Sequence, residues 1–307
     1  MIATENLTKK FGNLTAVDAL TLRVEEGEVF GFLGPNGAGK TTTVRMLCCL
    51  ISKTSGEARI AGYQVGKDAD ALRIRKLIGL MPDNVGLYDT LSAYDNLDFY
   101  GKLYDCPEAQ RKENIQRLLT MLGLWEKKDV AVGTFSKGMK QKLGIACALI
   151  HDPQILFMDE PTANLDPESA KTVRDFILEL KKEKRTIFLN THNLDEAQRI
   201  CDKIAILNTK LMAMGTPEEL ERSTSGRKTV VQLVQASDAI LAALRKLPLG
   251  NIAVDGNTLT VDVKDPDTQS VAIVDAIYGA GGHVRSVTIV GSTLEEAYLK
   301  LVRRDNR

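Results

Sequence analysis

The hydrophobic positions along this chain change period repeatedly, and each change marks an element. Val29-Phe30-Gly31-Phe32-Leu33 is an unbroken apolar run and reads as a strand buried on both faces. Ile155 to Met158 and Thr186 to Asn190 read the same way, and Ile78-Gly79-Leu80-Met81 is a shorter strand that stops at Pro82. Ile2 to Leu7, Leu20 to Val24 and Glu57 to Ile60 add strands near the start, and Lys203 to Leu207 with Lys210 to Met214 form a closing pair. Elsewhere the period lengthens to that of a helix. Thr42 to Leu50 sets Val44, Leu47 and Cys48 on one face, and Ala69 to Leu77 forms a second helix. Val173, Phe176, Ile177 and Leu180 form a core stripe in a helix that Asp166 caps and Pro167 opens. From about residue 91 to 150 the pattern is helical, with Tyr94 to Tyr104 and Glu108 to Leu122 punctuated by Pro107 and Gly123. Strands alternating with helices predict an α/β core carrying a helical insert.

Ser223-Thr224-Ser225-Gly226 reads as a linker, which divides the chain into domains over 1–222 and 227–307. The second part runs strand, helix, strand, strand, helix, strand. Val230 to Val234 is followed by a helix capped by Ser237, and Asp255-Gly256-Asn257 makes a hairpin between Ile252 to Val254 and Leu259 to Val263. Val271, Val274 and Tyr278 mark the second helix, Val284 to Val290 the last strand, and Ser292-x-x-Glu295 a capping box opening a final helix. This order predicts a ferredoxin-like sheet with its helices on one face.

Composition narrows the function. Of 307 residues, 44% are hydrophobic and 26% charged, the balance of a globular protein. The formal net charge is +0, so no basic field recruits DNA or RNA, and no nucleic-acid partner is expected. No apolar run approaches the roughly 18 residues that span a bilayer, and the N-terminus lacks the basic start and apolar core of a signal peptide. The five cysteines show neither metal spacing nor a disulfide framework, which predicts reduced thiols and a cytoplasmic location.

The chemistry centres on Gly34-Pro35-Asn36-Gly37-Ala38-Gly39-Lys40-Thr41, between the first buried strand and a helix. The spacing G-x-x-x-x-G-K-[ST] is that of the phosphate-binding loop of nucleoside-triphosphate enzymes. Glycines let backbone N–H groups approach phosphate oxygens, the helix N-terminus favours the anion, Lys40 reaches the terminal phosphates and Thr41 binds Mg²⁺. Ile155 to Met158 leads into Asp159, suited to a magnesium ligand, and Glu160, suited to polarise the attacking water. His192, one of three histidines, stands just past the next core strand, level with those carboxylates. Asp83 stands at the end of the Ile78–Met81 strand, at an edge where ligand contacts cluster. Ser136 is placed as an N-cap; beside Lys137 it also offers a second anion site. Phe11 either stacks on an adenine ring or packs under a hairpin.

Together these residues resemble the ATP-binding subunit of an ABC transporter, over roughly Met1 to Arg222. Gly34 to Thr42 matches the family's phosphate loop, Phe135 to Met139 its LSGGQ signature, Ala163 to Asp166 its D-loop, and His192 its switch histidine. The resemblance implies a P-loop NTPase core with an antiparallel β-subdomain and a helical insert. It places Phe11 at the adenine, Ser136 and Gly138 at the γ-phosphate held by a second copy, and Asp83 where the family usually has glutamine. Lys137 replaces a signature glycine. This variant, with Lys140-Gln141-Lys142-Leu143, is similar to exporters of drugs, polysaccharides or sodium ions. The family's mechanism implies ATP and Mg²⁺ as cofactors, a homodimer in the ATP-bound state, and an integral membrane permease as partner on the cytoplasmic face of the membrane. An importer subunit whose C-terminal domain senses a solute, and an ABC ATPase without a transport role, are the alternatives.

Overall fold

The computed structural model describes residues 1–83, 86–224, 227–290 and 293–304. Its backbone contacts divide the chain into two units, Met1–Thr216 and Pro217–Arg307, so the break precedes the boundary expected at Arg222. Of the expected linker, Ser223 and Thr224 end a helix, while Ser225 and Gly226 lie outside the described residues.

The first unit opens with a long hairpin, β1 (Ile2–Phe11) and β2 (Leu14–Val24), followed by β3 (Val29–Leu33), α1 (Lys40–Leu47), β4 (Ser55–Ile60), β5 (Tyr63–Gln64), α2 (Asp68–Leu77) and β6 (Ile78–Met81). The helical insert is α3 (Ala93–Leu103), α4 (Glu108–Met121) and α5 (Lys137–Leu149). The chain then returns through β7 (Ile155–Asp159), α6 (Pro167–Lys182), β8 (Thr186–Thr191), α7 (Leu194–Ile200), β9 (Lys203–Asn208) and β10 (Lys210–Gly215). The hydrophobic pattern did not mark α7, which is short and capped by Asn193.

Two sheets enclose the core. One is antiparallel, ordered β2-β1-β4-β5; the other has six strands, ordered β10-β9-β3-β8-β7-β6, with β9, β3, β8, β7 and β6 parallel and β10 antiparallel at the edge. β3 and β7 are buried at every residue, which explains why they carry apolar runs rather than alternation. A single cluster runs from Ile2 and Leu20 on the antiparallel sheet through Val44 and Leu47 on α1 to the central strands. There Phe188 meets Phe30, Phe32 and Phe157 at ring-centroid distances of 5.4, 5.1 and 5.4 Å. The cysteines are free, as reduced thiols would be, and burial pushes the thiols of Cys48, Cys147 and Cys201 up.

His151, after α5, is a half-buried titratable group that the core strands did not announce. Its ring stacks on Tyr104 with centroids 3.7 Å apart, and Nε2 lies 2.9 Å from the Ile78 carbonyl oxygen. That carbonyl accepts, so Nε2 carries the proton and the buried, unpartnered Nδ1 is bare. Burial holds the pKa down to about 4, from 6.5. The folded value lies below the unfolded one, so this contribution to stability is complete above pH 6.5 and is lost as pH falls towards 4. His151→Phe keeps the stack and removes the titration. Its urea midpoint is expected to fall less between pH 7 and acid than that of the wild type, and equal acid sensitivity overturns the assignment.

The second unit contains α8 (Pro217–Thr224), β11 (Arg227–Leu233), α9 (Asp238–Leu244), β12 (Ile252–Asp255), β13 (Thr258–Val263), α10 (Pro266–Gly279), β14 (Val284–Val290) and α11 (Leu294–Arg304). The sheet order β12-β13-β11-β14, antiparallel throughout, is that of a ferredoxin-like fold. α9 and α10 cover one face, packing Ile240, Leu244, Ile273 and Ile277 on Val231, Leu259 and Val261. The expected second helix is present, and its buried face is Pro266, Ser270, Ile273 and Ile277, while Val271 and Tyr278 are 60% and 53% exposed. Both stripes satisfy helical periodicity, and the hydrogen bond between Ser270 and Thr229 (2.8 Å) lies with the buried one. Ser292 of the expected capping box lies outside the described residues; Thr293 Oγ1 accepts from the Glu296 N–H at 3.2 Å.

Candidate active site

The site forms where β3, β7 and β8 end together. α1 starts at Lys40, two residues earlier than its apolar pattern begins, and its N-cap, Gly39 (φ 95°), offers no side chain. The first N–H groups of α1 are therefore free to meet an anion. A Cβ on Gly34 would stand 2.3 Å from the Leu207 carbonyl oxygen, and one on Gly39 would stand 2.2 Å from that of Ala16. These two glycines are thus required by the protein's own backbone. Gly37 faces open space, and there the left-handed backbone (φ 83°) is what demands glycine.

Lys40 is buried and donates to the carbonyl oxygens of Gly34 (2.7 Å) and Pro35 (3.1 Å). Burial lowers its pKa, and the charges of Glu160 and Asp159 oppose that shift. The Thr41 hydroxyl donates to Asp159 Oδ2 at 2.9 Å, and Asn190 Nδ2 donates to Asp159 Oδ1 at 2.5 Å. Burial raises the pKa of the Asp159 carboxyl; the bonds from Thr41 and Asn190 pull it back, and the charge of Asp83 pushes it up again.

Glu160 follows β7 with a left-handed backbone (φ 52°), an uncommon state for a non-glycine residue and one typical of functional turns. Its N–H donates to the Asn190 carbonyl oxygen at 2.8 Å, and Gln141 Nε2 of α5 donates to its carbonyl oxygen at 3.3 Å. Its carboxylate lies 3.4 Å from Thr191 Oγ1 and 2.7 Å from His192 Nδ1. His192 is largely exposed, so one ring edge remains open to a ligand.

One cleft gathers Asn36 to Thr42, Asp83, Asp159, Glu160 and Phe11. Gly34 and Pro35 reach it through Lys40, and His192 reaches it through Glu160. Phe11 ends β1, which runs past the expected Leu7; the ring is 50% exposed, with the Lys9 ammonium 4.8 Å from its centroid. Ser136 and Gly138 do not line this cleft. They stand at the start of α5, where Ser136 Oγ accepts from the Met139 N–H (3.3 Å) and Gly138 lies against α6, a Cβ there meeting Ser169 Oγ at 2.7 Å.

Two buried polar residues near the site escaped the sequence reading. Asn190 is 1% exposed near the end of β8, directly after the apolar run Ile187-Phe188-Leu189, and a buried polar residue there was its signal. Glu196, 1% exposed on α7, accepts from Thr191 Oγ1 at 3.1 Å, and burial raises its pKa; nothing in its neighbourhood along the chain announces it. Among the described residues no three His, Cys, Asp or Glu gather to cage a metal. Thr41, Asp159 and Asp83 supply hard oxygen donors beside the phosphate loop, and Asn190 Oδ1 is buried with no partner. That set fits a small hydrated divalent cation held largely by nucleotide phosphates.

The profile of the ABC transporter family matches residues 17–163. The linearmycin resistance ATP-binding protein LnrL of Bacillus subtilis (strain 168) is 33% identical, with 100% of both chains covered. The daunorubicin resistance ATP-binding protein DrrA3 of Streptomyces coeruleorubidus is 34% identical over 100% of this chain and 97% of its own. Among solved structures, the dimeric post-hydrolysis state of the ATP-binding cassette MJ0796 bound to ADP and Pi aligns with a TM-score of 0.64 at 25% identity, covering 70% of this chain and 98% of that one. A phosphate loop at the head of α1, two carboxylates at the end of β7 and relatives matched from end to end lead to one assignment: the chain belongs to the ABC transporter family, as an ATP-binding and ATP-hydrolysing subunit.

Proposed function

We propose that this subunit powers an exporter by closing on ATP as a head-to-tail pair of copies beneath a separate membrane permease, on the cytoplasmic face of the membrane. No helix among the described residues is long and apolar enough to cross a membrane, and in this reading the permease supplies the transport path. The export direction draws support from LnrL and DrrA3, both named as resistance proteins.

The observation that carries the pairing is the position of Ser136 and Gly138 outside the cleft of their own phosphate loop. In a head-to-tail pair, the start of α5 in one copy faces the terminal phosphate held by the other. In this reading Phe11 stacks on the adenine. The N–H groups of Gly34 to Thr42 wrap the phosphates, and Lys40 exchanges its bonds to Gly34 and Pro35 for phosphate oxygens. Thr41, Asp159 and Asp83 hold Mg²⁺, which neutralises charge on the phosphates. Glu160 orients the attacking water, and His192, fixed by its 2.7 Å contact to Glu160, meets the γ-phosphate.

Complementation in trans tests the pairing. Lys40→Ala disables the loop. Ser136→Asp keeps an N-cap but sets a negative charge against the phosphate. Each variant alone is expected to be inactive, and their mixture is expected to regain activity, because one site then combines an intact loop with an intact signature. No recovery on mixing, or normal hydrolysis by Ser136→Asp alone, overturns the shared site. Asp83→Gln is expected to retain ATPase activity by phosphate release, since the amide keeps an oxygen donor; complete loss would assign the carboxylate a task of its own.

A further inference from the structure

We propose that Asn190 is a positioning residue for the metal-binding carboxylate: its amide N–H clamps Asp159, and its free carbonyl oxygen takes a water from the hydration shell of the nucleotide's cation. The proposal rests on the reading that a divalent cation accompanies the nucleotide.

Register puts Asn190 there. Parallel pairing of β7 with β8 sets Asp159 opposite Asn190, so the side chains of these neighbours stand side by side at the sheet's carboxyl edge. Asn190 Nδ2 lies 2.5 Å from Asp159 Oδ1, while Thr41 holds the other carboxylate oxygen at 2.9 Å. The carboxylate is thereby fixed at both ends. Through its main chain Asn190 also accepts the Glu160 N–H at 2.8 Å, so one residue touches both members of the acidic pair.

The second end of the amide points to a ligand. Asn190 is 1% exposed, and its Oδ1 is buried with no hydrogen-bond partner. Turning the amide over would set oxygen against a carboxylate oxygen, so the donor faces Asp159 and the acceptor stays bare. A buried acceptor is costly to leave unpaired, and this one faces the nucleotide cleft. The residue lines the same cleft as Thr41, Asp83 and Asp159. Lys40 Nζ, a nearby donor, is engaged by Gly34 and Pro35 and is assigned to phosphate on binding. What the bare oxygen fits is a water that must donate: the metal's own ligand, whose hydrogens point away from the cation. Groups that orient a metal's ligands without touching the metal act in this way.

The test uses the full chain and a fluorescent, non-hydrolysable ATP analogue, titrated at varied Mg²⁺ and again in EDTA. Asn190→Leu matches the shape of asparagine and removes both polar ends. The Mg²⁺ concentration for half-maximal binding is expected to rise about tenfold, with affinity in EDTA unchanged. The spectrum of Mn²⁺ in place of Mg²⁺ is expected to show a looser site. Equal losses with and without Mg²⁺, or a midpoint equal to the wild type's, overturn the proposal. If leucine prevents folding, Asn190→Val, suited to a strand and likewise without a polar end, carries the same titration. Should the wild type itself ignore Mg²⁺, the cation reading fails first, and the two failures are told apart.

Discussion

Lys40→Ala is expected to lower ATP turnover by about a hundredfold to a thousandfold, the effect of removing one charge-stabilising donor from a preorganised site. The ammonium bonds to the carbonyl oxygens of Gly34 and Pro35, on the phosphate loop itself. Burial has already stripped it of water, so little solvent must be displaced when phosphate replaces those carbonyls. The fold is expected to survive, because α1 keeps the Thr43 hydroxyl on the Gly39 carbonyl oxygen (2.9 Å) and Thr41 on Asp159. Phosphate release and nucleotide titration check the result. Lys40→Met, which retains the aliphatic stem, separates lost charge from lost packing. Normal hydrolysis by either variant would refute the assignment of the loop.

Glu160→Gln is expected to bind ATP normally and to hydrolyse it about a hundredfold to ten-thousandfold more slowly, the range for loss of a general base. The amide matches the carboxylate in shape and leaves Lys40 and the phosphate loop untouched. It also preserves an acceptor for His192 and adds no strain to the left-handed backbone. With binding intact and turnover blocked, copies are expected to accumulate as an ATP-dependent dimer, read by light scattering. A monomer under saturating ATP counts against a site shared between two copies, whatever the residual turnover.

Much of the fold and part of the site were legible along the chain. The spacing from Gly34 to Thr41, the apolar runs of β3, β7 and β8, and the caps at Ser136 and Asp166 depend on residues within a few positions of one another. Local chemistry therefore determined them: backbone conformation, side chains returning to nearby N–H groups, and the period of burial. What needed the tertiary structure was every choice between partners distant in sequence. Thr41 meets Asp159 across 118 positions, and Asn190 meets it across 31. The same holds for Gly138, which packs against Ser169, and for the second unit, where the sheet buries Ile273 and Ile277 and leaves Val271 and Tyr278 exposed. Periodicity says that one stripe of a helix is buried, but two stripes a residue apart satisfy it equally, and only the surface packed against them decides.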